Sequence, residues 1–124
     1  MARPRFAAEL KGLDSYDLPG LDQEPSDPKN CRIETTLRVG PVGDDSGDDF
    51  TLFFVTPAWL ADNISADEFR VLAYTVVLPT FRWSLAEHSA RTLIDSIESR
   101  SWEEFAAAFS RLAYWEHSTD APPS

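Results

Sequence analysis

The chain has 124 residues, and its 21 Asp and Glu against 11 Lys and Arg give a formal net charge of −10. This length predicts one domain with one core, and the content of 43% apolar and 12% aromatic residues excludes a disordered acidic chain. The negative charge disfavours nucleic acid and anionic membranes as partners and favours a basic protein.

Four strands are predicted in chain order. The first covers residues 6–13 and precedes a loop over 14–30 that is rich in proline and acids. Residues 32–39 alternate strictly, which predicts a strand with one buried face and one wet face; the buried face holds Ile33, Thr35, Leu37 and Val39. After a hairpin loop over 40–49, residues 50–56 are apolar on both faces and predict a central strand. Residues 69–78 predict the fourth strand, because they are rich in β-branched and aromatic side chains, and Pro79 ends it.

Three helices are predicted. A short one begins at Thr56 as its cap with Pro57 in the first position, and covers 56–61. Capping boxes of Ser84 with Glu87 and of Ser101 with Glu104 begin two longer helices, the first over 84–99. Because strands come first and long helices last, the order predicts an α+β fold, an antiparallel sheet of about four strands with two C-terminal helices packed on one face. Residues 1–117 are predicted to form a single domain, and 118–124 a flexible tail.

The sequence carries no motif of a known catalytic centre. The two histidines, His88 and His117, are not placed so as to suggest a catalytic triad, and Cys31 is more typical of a small buried hydrophobe than of a nucleophile. No catalytic residue, metal ligand or cofactor is therefore predicted. One alternative stays open, a metal-dependent enzyme that uses the aspartates of residues 44–49, although their spacing is not that of a calcium-binding EF-hand.

The cellular compartment is predicted from three features. Cys31 is the only cysteine, so no intramolecular disulfide can form and a reducing compartment is favoured. Glu9 and Lys11 interrupt the N-terminal apolar stretch where a signal peptide needs a continuous one. No stretch approaches the roughly 20 apolar residues of a membrane span. These features predict a soluble cytoplasmic protein.

Several short motifs follow one another along the chain: GPVG at 40–43, GDDF at 47–50, VTPAWL at 55–60, SWEE at 101–104 and WE at 115–116. In this order, over residues 10–117, the chain resembles the immunity protein 8 family of bacterial polymorphic-toxin systems. The resemblance implies a small cytoplasmic protein, encoded beside a toxin, that binds the toxin's catalytic domain and prevents self-intoxication.

Many toxins of such systems are nucleases with basic clefts, which an acidic protein can occupy as a phosphate mimic. We therefore expect acidic side chains to contact a basic toxin domain. The candidates are Asp44, Asp45, Asp48 and Asp49, with Asp14, Asp17 and Glu116 behind them. Two alternatives remain: these carboxylates only keep the protein soluble, or the chain is a structural or adaptor module of a larger assembly.

Overall fold

The computed structural model describes residues 6–18, 20 and 23–118. Its elements in chain order are β1 (Ala8–Asp14), β2 (Arg32–Pro41), β3 (Asp48–Val55), α1 (Pro57–Asn63), β4 (Thr75–Val77), α2 (Trp83–Asp95), α3 (Trp102–Phe109) and β5 (Tyr114–Trp115). The predicted α+β class is confirmed. The predicted tail lies outside the described residues, except for Ser118.

The strands form one mixed, mostly antiparallel sheet in the order β1-β2-β3-β4, and β5 also pairs with β3. β2 is antiparallel to β1 and β3, β5 is antiparallel to β3, and β4 is parallel to β3. Since β2 occupies one edge of β3, β4 and β5 share the other edge. The alternation of β2 is confirmed, because Ile33, Thr35, Leu37 and Val39 are all buried.

β3 is the central strand that its composition predicted. Phe50, Leu52 and Phe54 point into the main core. Phe53 and Val55 point to the opposite face, where each is only 2% exposed. The Arg32 guanidinium covers Phe53, 4.3 Å from the ring centroid. Both faces of β3 are therefore shielded from water.

The two C-terminal helices pack on the face of the sheet that carries Phe50, as predicted. α2 buries Ala86, Ala90 and Ile94, and α3 buries Phe105, Ala106 and Phe109. The rings of Phe50 and Phe109 meet edge to face with centroids 4.9 Å apart. Each fully buried Phe contributes about 1.5–3 kcal/mol by leaving water, so the contact between the helices and the sheet stabilises the fold.

The fourth strand is much shorter than the predicted range of 69–78, because only Thr75–Val77 forms β4. β4 pairs with Phe53–Val55, whereas Phe50 and Thr51 on the same edge are already paired with β5. Tyr74, just before β4, has a φ of 58°, which turns the chain away from the strand direction. The available length of the β3 edge therefore limits β4.

Two of the three predicted cap residues, Thr56 and Ser101, occupy the N-cap position, and only Ser101 forms a side-chain cap hydrogen bond. The Ser101 hydroxyl accepts a hydrogen bond from the Glu104 N–H at 3.1 Å. The prediction for Ser84 is wrong, since α2 begins at Trp83, ends at Asp95 and has no side-chain cap. Thr56 is the N-cap residue of α1 and Pro57 is the first helical residue, as predicted. The Thr56 hydroxyl does not cap the helix, because it accepts from the Cys31 N–H at 3.0 Å and so ties the helix start to the residue before β2.

Candidate partner-binding surface

Five of the seven predicted contact residues lie together at one end of the sheet, where β2 turns into β3. We call this group the acidic end; it consists of Asp44, Asp45, Asp48, Asp49 and Glu116. The β2–β3 turn brings the first four together, and β5 brings the fifth, since the Glu116 N–H donates to the Asp49 carbonyl at 3.0 Å. Residues 67 positions apart in sequence thus share one surface.

Asp48 and Asp49 were predicted to lie in the hairpin loop, and this prediction is wrong. They occupy the first two positions of β3. They lie opposite Val39 and Arg38 of β2. This pairing fixes their backbone, and both side chains are partly shielded from solvent. Asp48 and Asp49 are therefore held more rigidly than residues of a hairpin tip.

The loop that carries Asp44 and Asp45 folds back onto β2. A Cβ on Gly40 would lie 2.1 Å from the Ser46 carbonyl oxygen, so only glycine permits this approach. The Lys11 ammonium donates to the Asp44 carbonyl. The Asp44 carboxylate accepts from the Ser46 N–H at 2.8 Å, and this hydrogen bond holds the pKa of Asp44 below its ordinary value. Asp44 is therefore ionised at neutral pH.

Lys11, whose ammonium donates to the Asp44 carbonyl, and Arg38 offset part of this charge. Arg38 Nη1 lies 3.6 Å from Asp49 Oδ1, and both side chains are about half exposed. An exposed pair of this kind contributes roughly 0.2–1 kcal/mol. The Asp45 side chain has no ion pair or hydrogen bond within the described residues. The acidic end therefore presents a negative surface to solvent.

Asp14 and Asp17 lie elsewhere on the sheet. Asp14 is opposite Thr36 in the β1–β2 register, and Asp17 Oδ2 accepts from the Glu34 N–H at 3.0 Å. Thr36 and Glu34 are five and seven residues from Pro41 along β2. At roughly 3.3 Å per residue, they lie about 17 and 23 Å from the β2–β3 turn. The seven predicted residues thus divide into two separate groups.

Trp115 of β5 and His117, two residues after it, bring two further side chains to the acidic end that were not among the predicted contact residues. Trp115 Nε1 donates to Asp48 Oδ2 at 3.0 Å. His117 Nε2 lies 3.6 Å from Asp48 Oδ1 and 3.4 Å from Glu116 Oε1. A strand of two residues is too short for any periodicity to reveal, so no signal in the sequence connected His117 with Asp48.

Comparison with family models identifies the chain. The model of the family described as immunity protein 8 matches residues 8–119. The chain belongs to the immunity protein 8 family. Comparison with curated proteins and with solved structures gives no match. The family implies action against a toxin, and therefore a toxin partner.

In this immunity protein, a second exposed surface lies in the irregular chain before β4. Phe69 and Val71 are each 88% exposed, and Leu72 is 38% exposed. We call these three residues the apolar segment. Their β-branched and aromatic composition predicts a strand over residues 69–78, but these three residues lie outside the strand that forms. Aromatic side chains exposed to this extent are typical of interaction sites.

Cys31 has the environment expected of a structural thiol. Burial, together with the negative charge of Asp27, raises its pKa, so that the thiol is protonated at neutral pH. His88 is exposed on α2. Neither residue shows the activation that a nucleophile requires.

A groove of about 480 Å³ lies between β1 and α2. Its charged side chains include Arg91 and Glu87, which pair with each other at 3.2 Å.

Within the described part of the chain, no helix has the length and apolar character needed to cross a membrane.

Proposed function

We propose that this protein neutralises a cognate bacterial toxin in the cytoplasm by binding its catalytic domain through the acidic end, without catalysing a reaction itself. The observation that carries the proposal is the convergence of five carboxylates at the β2–β3 turn, of which only Asp49 pairs with an arginine or lysine side chain among the described residues. Such a surface is complementary to the basic cleft of a nuclease toxin.

The expected energetics follow from charge complementarity. Exposed carboxylates raise the rate of encounter with a basic surface, and this effect weakens as salt screens the charges. Close charge pairs between a nuclease and its inhibitor couple by about 1.5–7 kcal/mol. A few contacts from the acidic end can therefore supply a substantial part of the interaction energy with a basic toxin.

The decisive experiment neutralises two carboxylates that do not hold the fold together. Asp44→Asn keeps an oxygen that can accept from Ser46, and Asp45→Asn breaks no ion pair or hydrogen bond among the described residues. The matched control is Asp67→Asn with Glu24→Gln, which removes the same charge from two exposed positions that belong neither to the acidic end nor to the predicted contact residues. Association with the catalytic domain of the toxin encoded beside the gene is measured over a range of salt concentrations.

We expect the double variant at positions 44 and 45 to lower the association rate at low salt by roughly tenfold and to flatten its salt dependence. The control variant should bind like the original protein. Equal effects of the two double variants would show that total charge, not the acidic end, drives association, and would refute the proposed surface.

The apolar segment favours a second candidate, a structural or adaptor module that self-associates or joins a larger assembly. Light scattering on the purified chain and on Phe69→Ser distinguishes the two. A stable oligomer that Phe69→Ser dissociates would support the adaptor function. If the original chain and Phe69→Ser are both monomeric, self-association through the apolar segment is refuted.

A further inference from the structure

We propose that Asp48, Glu116 and His117 form a binding site for a divalent transition metal such as zinc. One carboxylate oxygen of each acid and one imidazole nitrogen lie within 4.8 Å of one another. Two carboxylates and one imidazole form a donor set that suits zinc, whereas calcium requires six to eight oxygen ligands. The site does not depend on the toxin and is a property of this chain alone.

The distances from His117 to the two carboxylates are compatible with a shared metal. His117 Nε2 lies 3.4 Å from Glu116 Oε1 and 3.6 Å from Asp48 Oδ1. In a tetrahedral site with metal–ligand bonds of about 2.0–2.1 Å, two ligand atoms are separated by roughly 3.4 Å. The nitrogen therefore lies close to the separation that a metal shared with both carboxylates would require.

Trp115 orients two of the three ligands. Its indole N–H donates to Asp48 Oδ2, which leaves Oδ1 directed at His117. Its ring meets the imidazole of His117 edge to face, with centroids 5.3 Å apart, and stacks on Phe50 at 6.2 Å. Hydrogen bonds and packing behind the ligands raise metal affinity because they fix ligand geometry before the ion arrives.

The surroundings also favour a cation. Asp44, Asp45 and Asp49 belong to the same end of the sheet, and their negative potential raises the local concentration of divalent ions. Side-chain exposure is 21% for Asp48, 41% for Glu116 and 59% for His117, so the ion has a direct path from solvent. Three protein ligands leave one tetrahedral position for water.

The test uses the full chain without an affinity tag, freed of metal by dialysis against a chelator. Calorimetric titration with zinc chloride should show one ion bound per chain, and magnesium and calcium should bind far more weakly. Cobalt chloride should produce the visible absorption bands of a tetrahedral site. His117→Ala and Asp48→Asn should each weaken zinc binding by at least about tenfold. Asn at position 48 retains an acceptor for Trp115.

His88→Ala is the control, since it removes the other histidine, which is exposed on α2. It should leave zinc binding unchanged.

The proposal is overturned if zinc gives no stoichiometric binding, or if His117→Ala binds zinc as well as the original protein. It is also overturned if His88→Ala loses as much affinity as His117→Ala. Circular dichroism of each variant confirms that the fold is intact. The association with toxin is measured separately in the presence of a chelator, so its failure does not affect this result.

Discussion

A side chain at position 40 would disturb the contact that holds the acidic loop against β2. A Cβ there would lie 2.1 Å from the Ser46 carbonyl oxygen and 2.9 Å from the Gly47 Cα. Both are backbone atoms, so the loop itself must move. Forced contacts of this kind in a packed region typically cost about 1–3 kcal/mol, and we expect Gly40→Ala to lower the free energy of unfolding by that amount.

Gly12→Ala is the matched control in β1. Its Cβ would have Arg38 Cβ as its nearest neighbour at 3.7 Å, an ordinary van der Waals distance. We expect its stability to stay within about 0.5 kcal/mol of the original protein. Urea unfolding followed by tryptophan fluorescence measures the free energy of unfolding of both variants. In thermal unfolding, each kcal/mol that Gly40→Ala loses should lower the melting temperature by roughly 3–5 °C.

The result that would refute this reasoning is an unchanged unfolding midpoint for Gly40→Ala. In that case the loop over 42–47 would not lie against β2, and the positions of Asp44 and Asp45 would be set by the turn alone. A loss of stability in both glycine variants would instead show that alanine is poorly tolerated in either strand, whatever the loop does.

Two further predictions concern the helix caps and the cysteine. Ser101→Ala should lower the free energy of unfolding by about 0.5–2 kcal/mol because it removes the cap of α3. Ser84→Ala should change this free energy by less than about 0.5 kcal/mol because Ser84 does not cap α2. Urea unfolding measures both variants, and equal losses would contradict the assignment of the caps. Cys31 should react with iodoacetamide more slowly at pH 7.5 in the folded protein than in urea, because its raised pKa keeps it protonated, and this difference should narrow as the pH rises through that pKa. Mass spectrometry follows the reaction, and equal rates in both states would refute the prediction.

The sequence predicts those parts of the fold that depend on local periodicity. The alternation of Ile33, Thr35, Leu37 and Val39 identifies β2 and its buried face, because a strand places every second side chain on the same side. The apolar character of both faces of β3 predicts its central position. The cap at Ser101 is also local, since donor and acceptor are three residues apart.

Competition between distant parts of the chain decides the rest. Residues 69–78 have the composition of a long strand, but β5 occupies the neighbouring part of the β3 edge and leaves room for only three paired residues. The Ser84 motif has a good local sequence, yet α2 begins at Trp83, whose indole N–H donates to the Gln23 carbonyl at 2.9 Å. In both cases a tertiary contact overrides the local preference.

The acidic residues show the same division. Their number and their concentration in loops are properties of the sequence, and these suffice to predict a negative protein that favours a basic partner. Only the tertiary structure decides that Glu116 joins Asp48 while Asp14 and Asp17 lie far along the sheet. The physical reason is that strand pairing brings together residues remote in sequence, and a composition contains no information about which edges will pair.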